Sequence, residues 1–444
     1  MQLVTYRFIL YFFVGRANLP TMENQNDDSI RHRFFAPLDA ALEAANFGRR
    51  CPDVSDRGHV VSGVCRVLEC ESSGRGWVQH VRMAWEFGLT VNTFFKALRS
   101  GRRLNLVEEV DAHVRGQADR RCAESKLDPL AEHKELDGFS VYASDGHYEE
   151  ASPHTPAVGG KVQPQGFFFS VNLRTHTLSL LDIARPKRKK EHDMCALKRL
   201  SGKQLRMGRP DGIKVIHVYD PAGIDYLQWH NWKTQGVYVI SREKENSRAE
   251  VVGVRVWDRN DPRNTGVESD EWIGVFAGVM MRRVTYRDPA TGGVFRFITG
   301  EMTLPPGLIA FLYKMRWDIE KTFDEKKTKL GVKRAWATTP TARCRQAHFV
   351  CLAHNLMLML EREIASSEGI RDEKTDAKRD ARRAELERHI AASGRRPNPL
   401  VSSLSRATQR SLQFIRWLRY CLENQRDWRV EINMLKPYMR AYIS

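Results

Sequence analysis

Residues 311–331 read FLYKMRWDIEKTFDEKKTKLG, and the rest of the chain is best read outward from them. Leu312, Ile319, Phe323 and Leu330 recur at helical spacing and form a stripe suited to face a core. Tyr313, Arg316, Glu320 and Lys327 follow one another at spacings of three, four and seven. On a straight α-helix these four fall within an arc of about 60°, beside the apolar stripe rather than opposite it. An ordinary solvated face points away from the core. Here a carboxylate flanked by two cations and a phenol stands at its rim. That surface suits a phosphodiester backbone with one metal ligand in its midst.

Upstream, five short runs read as strands: 138–143 (GFSVYA), 166–173 (GFFFSVNL), 177–183 (TLSLLDI), 214–219 (KVIHVY) and 236–241 (GVYVIS). The second and third are joined as a hairpin through Arg174 to His176. The first ends at Ser144-Asp145-Gly146, which reads as a turn, and the fourth at Asp220-Pro221. A helix is predicted over 225–232. In α/β folds, sites gather at the carboxyl ends of strands. If these two strands are neighbours, Asp145 and Asp220 meet there. Paired carboxylates repel unless a cation lies between them, and hard divalent cations such as Mg²⁺ take oxygen ligands. Alone, each Asp reads as an ordinary turn residue before it reads as a ligand; Glu320 on the later helix shifts that balance.

Residues 245–303 hold three β-rich runs, 250–257, 272–286 and 293–299, separated by turn residues. After Pro305-Pro306 the helical period returns, and a long helix is predicted over 342–364. Residues 365–396 are charged and apolar-poor, a solvated helix or linker. Residues 400–444 are helical, with Phe414, Ile415, Trp417, Leu418 and Cys421 as a packing face. Toward the N-terminus, residues 23–60 show little periodicity. Val78, Val81, Ala84, Trp85 and Leu89 mark one helix, Asn92 caps a second, and a third covers 104–114. Arg99, Arg102, Arg103, Arg115, Arg120 and Arg121 give this region a basic face for DNA or for solvent.

Lys plus Arg number 71 against 54 Asp plus Glu, a formal charge of +17, which points to a polyanionic partner, nucleic acid first. No helix pairs a continuous apolar face with flanking Lys and Arg, so a membrane surface fits poorly. The eight cysteines form no CxxC pair and no zinc-finger spacing, and read as reduced thiols. Phe8 to Val14 is apolar but too short to span a bilayer, and Met1 and Met22 are alternative starts. A soluble cytoplasmic, nucleoid-associated protein is expected.

Tyr313-x2-Arg316-x3-Glu320-x6-Lys327 resembles the signature of the "insertion sequence four" family of DDE-class insertion-sequence transposases. Asp145-Gly146 resembles the family's first catalytic Asp, and residues 218–226 (VYDPAGIDY) the segment around its second, although Pro221 stands where many members carry Arg. The resemblance covers about residues 137–365. It implies an α/β chain: a ribonuclease H-like mixed sheet with flanking helices, a β-rich insertion, and helical N- and C-terminal regions. The expected segments are 1–130 (helical, a possible DNA-end-binding region), 131–244 (first part of the core), 245–304 (insertion), 305–365 (second part of the core) and 366–444 (charged, helical). It further implies that Asp145, Asp220 and Glu320 hold two Mg²⁺ ions, with Mn²⁺ as a substitute. Tyr313, Arg316, Lys327 and Arg242 would grip DNA, with Trp317 or Trp272 as rings for base stacking. The implied partners are the element's double-stranded terminal inverted repeats, target DNA and a second copy of the chain. A catalytically silent DNA-binding inhibitor and a ribonuclease H-like nuclease are the alternatives.

Overall fold

The computed structural model describes residues 28–45, 54–69, 73–84, 90–124, 128–185, 191–247, 249–276, 278–370, 373–402 and 410–441. The Phe8–Val14 run, Met1 and Met22 lie outside them.

Five helices open the described chain: α1 (Ile30–Ala45), α2 (Asp56–Leu68), α3 (Gly74–Ala84), α4 (Val91–Arg99) and α5 (Gly101–Glu124). α1 and the start of α2 fall where little periodicity was expected. Ile30, Phe34, Phe35, Leu38 and Ala41 nonetheless line one buried face of α1. Asn92 is not a cap: Thr90 caps α4, accepting from the Thr93 N–H. The basic face is also partly spent internally. Arg102 pairs with Asp56, Arg103 donates to the Val54 carbonyl, and Arg115 donates to Ser179, while Arg99, Arg120 and Arg121 are exposed.

Strands β1 (Phe139–Glu149), β2 (Gln165–Asn172), β3 (Leu178–Ile183), β4 (Lys214–Val218), β5 (Val237–Arg242), β6 (Glu250–Val254), β7 (Val267–Phe276), β8 (Val279–Arg287) and β9 (Val294–Thr299) form one nine-stranded sheet. Its order is β3-β2-β1-β4-β5-β9-β8-β7-β6. β1, β4 and β5 are mutually parallel, and β2 is antiparallel to both neighbours. This mixed α/β sheet is the ribonuclease H-like arrangement expected. The β-rich run after β5 extends the same sheet, because β9 pairs with β5 at Ile240 and Thr299. The stretch 272–286 is a hairpin rather than one run: β7 and β8 are joined through Gly278, whose φ of 79° favours glycine.

Side chains alternate across the sheet. Val141, Ala143, Ile216, Val218 and Ile240 enter one core, while Tyr142, Val215, Tyr219, Val237 and Val239 enter the other. The second core is closed by α6 (Asp193–Leu197), α7 (Gly202–Leu205) and α8 (Tyr226–Lys233), whose Trp229 and Trp232 are buried there. Into the first pack α9 (Pro306–Met315), α10 (Trp317–Asp324) and α11 (Pro340–Ser367), along with α1, α2 and α5. The chain ends in α12 (Glu373–Ala392), α13 (Pro399–Ser402), α14 (Leu412–Glu423) and α15 (Trp428–Ala441). Phe414, Ile415, Leu418 and Cys421 bury the inner face of α14, as their spacing predicts. Among the described residues, no helix is long and apolar enough to cross a membrane.

Candidate active site

β1 and β4 lie side by side with Ala143 opposite Val218. Asp145 and Asp220 each come two residues later, so both continue the face that carries α9 and α10. Asp220 follows β4 and caps a short 3₁₀ turn, accepting from the Ala222 N–H at 3.0 Å. Asp145 accepts from the Gly146 N–H at 2.8 Å.

The predicted turn at Ser144-Asp145-Gly146 is absent, since β1 runs straight through it. Gly146 serves a different purpose. Its side-chain position faces the opposite core, where a Cβ would stand 2.9 Å from the Phe168 ring and 3.0 Å from Asp193 Oδ1. The missing side chain lets Asp193, the first residue of α6, come up beside the strand. Carboxylate oxygens of Asp145, Asp193 and Asp220 lie within 4.8 Å of one another. Asp193 was not foreseen. Its sequence context marks only the start of a short helix, and the approach is non-local. The Tyr148 hydroxyl donates to Asp193 Oδ1 at 3.1 Å.

Burial, and then the charge of Asp220, push the Asp145 carboxyl up to about 7, against the Gly146 N–H and Arg316. A polar ladder lies under the cluster. His217 Nε2 faces the Leu205 carbonyl at 2.8 Å, which can only accept, so Nδ1 is left to accept from Ser144 at 2.9 Å. Burial holds the His217 ring down at about 4, so it stays neutral beneath the carboxylates.

Arg316 lies at the junction of α9 and α10. Its Nη2 donates to Glu320 Oε1 at 2.8 Å, and its Nη1 stands 3.6 Å from Asp145 Oδ2. Glu320 therefore reaches the aspartates through Arg316, while the tight group is the three aspartates. The Arg316 guanidinium also lies 5.8 Å from the centre of the Tyr313 ring. Lys327 lies beyond the regular part of the helix. α10 passes into a π turn, Glu325–Lys329, which changes the rotation per residue. Lys327 is exposed, and Lys326 turns inward to pair with buried Glu149. The site side of the helix is thus held by Tyr313, Arg316 and Glu320.

Arg242, Tyr313, Arg316 and Trp317 line one open cavity of about 420 Å³ next to the carboxylates. Trp317 is 59% exposed there. Trp272 is elsewhere: it lies on β7 with the Arg255 guanidinium 4.7 Å above its ring.

No curated protein matches this chain. Among solved structures, the cryo-EM structure of the piggyBac transposase synaptic complex with hairpin DNA is similar at 9% identity and a TM-score of 0.35, over 96% of this chain and 88% of that one, too distant to carry an argument. Residues 74–356, more than half the sequence and including every carboxylate of the cluster, match the family described as Transposase DDE domain. The chain belongs to that family.

Proposed function

We propose that this chain is an active DNA transposase of the "insertion sequence four" type. It cuts double-stranded DNA at the terminal repeats of its element and joins the freed ends to target DNA. The observation that carries this reading is the convergence of Asp145, Asp193 and Asp220, with Glu320 tied to Asp145 through Arg316.

The donor set suits a hard divalent cation. It is all oxygen, and the raised Asp145 carboxyl marks a place where added positive charge would be stabilising. Asp145, Asp220 and Glu320 would hold Mg²⁺, with Mn²⁺ as a substitute, and Asp193 would join them. The cations supply activation of water or a 3′-hydroxyl and stabilisation of the leaving oxygen.

The chain's own residues do the positioning. Arg316 holds the Glu320 carboxylate with one arm of its guanidinium and faces Asp145 with the other. It also brings a fixed positive charge to the scissile phosphate. Tyr313 and Arg242 line the adjoining cavity and orient the DNA backbone. Lys327, exposed about two turns beyond Glu320, would meet the same backbone from outside. Trp317 offers a free ring face for an unpaired base. The charge of +17 supports a DNA partner, bound by two copies of the chain so that both element ends are held.

The test is cleavage of DNA carrying the element's terminal repeats, with and without Mg²⁺, by the parent chain and by Glu320→Gln. The parent should cut only with the cation, and the variant should bind the same DNA without cutting it. Cutting by Glu320→Gln would remove Glu320 from the site. DNA binding by the parent without cutting would favour the silent inhibitor, and cutting without joining to target DNA a simple nuclease.

A further inference from the structure

A second set of metal-type ligands lies between α5 and α11, on the N-terminal side of the sheet's helical layer. Cys344 and His348 are four residues apart on α11, so both project from one face. Glu108 and Asp111 are three apart on α5 and face them. Donor atoms of Glu108, Cys344 and His348 lie within 4.8 Å of one another. Cys344 Sγ is 3.8 Å from Glu108 Oε1, and His348 Nε2 is 3.8 Å from the same oxygen.

The imidazole is already oriented. His348 Nδ1 lies 2.8 Å from Asp111 Oδ2, and a carboxylate only accepts, so Nδ1 carries the proton and Nε2 is aimed at Glu108 and Cys344. A buried carboxylate behind a histidine is the outer-shell arrangement that fixes the tautomer of metal-bound imidazoles. Asp111 is 1% exposed, and its second oxygen, Oδ1, has no hydrogen-bond partner. Two carboxylates and a thiol thus face one imidazole. The neighbouring Arg345 guanidinium, whose charge reaches Cys344 and Glu108, spends its hydrogen bonds on the carbonyls of Ala97 and Ser100.

We propose that Glu108, Cys344 and His348 bind one borderline-soft divalent cation of the Zn²⁺ class, with Asp111 as the outer-shell partner of His348. A tetrahedral Zn²⁺ has metal–sulfur distances of about 2.3 Å and metal–nitrogen or –oxygen distances of about 2.0–2.1 Å, which places neighbouring donor atoms roughly 3.3–3.6 Å apart. The observed 3.8 Å separations need to close by only a few tenths of an ångström. The fourth position opens to solvent beside Glu108, which is 44% exposed. The thiolate separates this site from the all-oxygen cluster at Asp145 and selects against Mg²⁺. Bound cation joins the N-terminal helices to the core helix α11, and the site stands whether or not the chain cuts DNA.

The experiment is a Co²⁺ titration of the full chain carrying Asp145→Asn, which weakens competing uptake at the aspartates. One equivalent should produce a thiolate-to-cobalt charge-transfer band and the strong visible bands of tetrahedral Co²⁺, and Zn²⁺ should bleach both. Adding Cys344→Ser should abolish the charge-transfer band, and adding Glu108→Gln should weaken binding at least tenfold. Both positions are partly exposed, so the variants should melt like the parent without metal. Zn²⁺ should raise the melting temperature of the parent and not that of Cys344→Ser. Absence of the band, or a band that survives Cys344→Ser, overturns the assignment.

Discussion

Gly146 and Asp193 meet where a side chain on the strand would crowd them, since a Cβ on Gly146 would stand 3.0 Å from Asp193 Oδ1. The glycine thereby admits a third aspartate to a pair set by strand register. Asp193→Asn preserves the shape and removes the charge. It should raise the Mg²⁺ concentration for half-maximal DNA cleavage by about 10–100-fold, the usual consequence of altering a metal's supporting ligands. An unchanged Mg²⁺ requirement would reduce Asp193 to a structural partner of Tyr148.

Arg316 is the only residue seen to contact both Asp145 and Glu320 among the described residues. Hydrogen bonds to charged groups contribute about 1.5–3 kcal/mol each. Arg316→Ala should therefore lower the cleavage rate by at least about tenfold, with DNA binding reduced far less. Arg316→Lys keeps the charge but loses the fork, and should recover little of the rate. A rate equal to the parent's in Arg316→Ala would mean that Glu320 needs no anchor.

Glu69, at the end of α2, makes a prediction about stability. Burial, with the Glu423 charge beside it and Arg419 opposing, raises its carboxyl from 4.5 to about 7. The folded chain then holds this proton more tightly than the unfolded chain. The stabilisation is complete below about pH 4.5 and is lost as pH rises through about 7. Glu69→Gln cannot ionise. It should be more stable than the parent by roughly 1–2 kcal/mol at pH 8, after allowance for partial exposure, and nearly equal to it at pH 5. Chemical denaturation at the two pH values measures this, and an equal difference at both would remove the ionisation argument.

What the sequence revealed, and what it hid, divides along local and non-local causes. Asp145 and Asp220 were legible because each follows an apolar strand run, and parallel pairing then aligns them without further information. Tyr313, Arg316 and Glu320 were legible because they span barely two turns. Lys327 was placed by assuming a regular helix, and the π turn at Glu325–Lys329 interrupts that regularity. The π turn coincides with the buried pairing of Lys326 and Glu149, a contact to a distant strand that no spacing rule contains. Asp193 was hidden for the same reason. The turn expected at Asp145-Gly146 failed because local preference for Asp-Gly was overruled by eight consecutive pairs between β1 and β2. α1 and α2 were missed although their apolar residues are periodic, since polar residues between them masked the stripe.

Gly63 decides between two opposing effects where α2 crosses α11. Glycine inside a helix costs about 0.8–1 kcal/mol relative to alanine, so Gly63→Ala would stabilise an isolated α2. In the folded chain, however, the added Cβ would lie 2.2–2.4 Å from three atoms of the Phe349 ring. That ring cannot simply withdraw: it is 1% exposed, with His59 at 5.8 Å and Trp336 at 6.2 Å between ring centres. Overpacking of this kind costs about 1–3 kcal/mol and sometimes more, which outweighs the helix gain. Gly63→Ala should therefore lower the unfolding free energy by about 1–2 kcal/mol at least. Shortening the ring with Phe349→Leu in the same chain should recover part of it, because the two changes share one contact. Urea unfolding of the two single variants and the double variant tests the coupling. A Gly63→Ala chain as stable as the parent would show that α2 and α11 can move apart without loss.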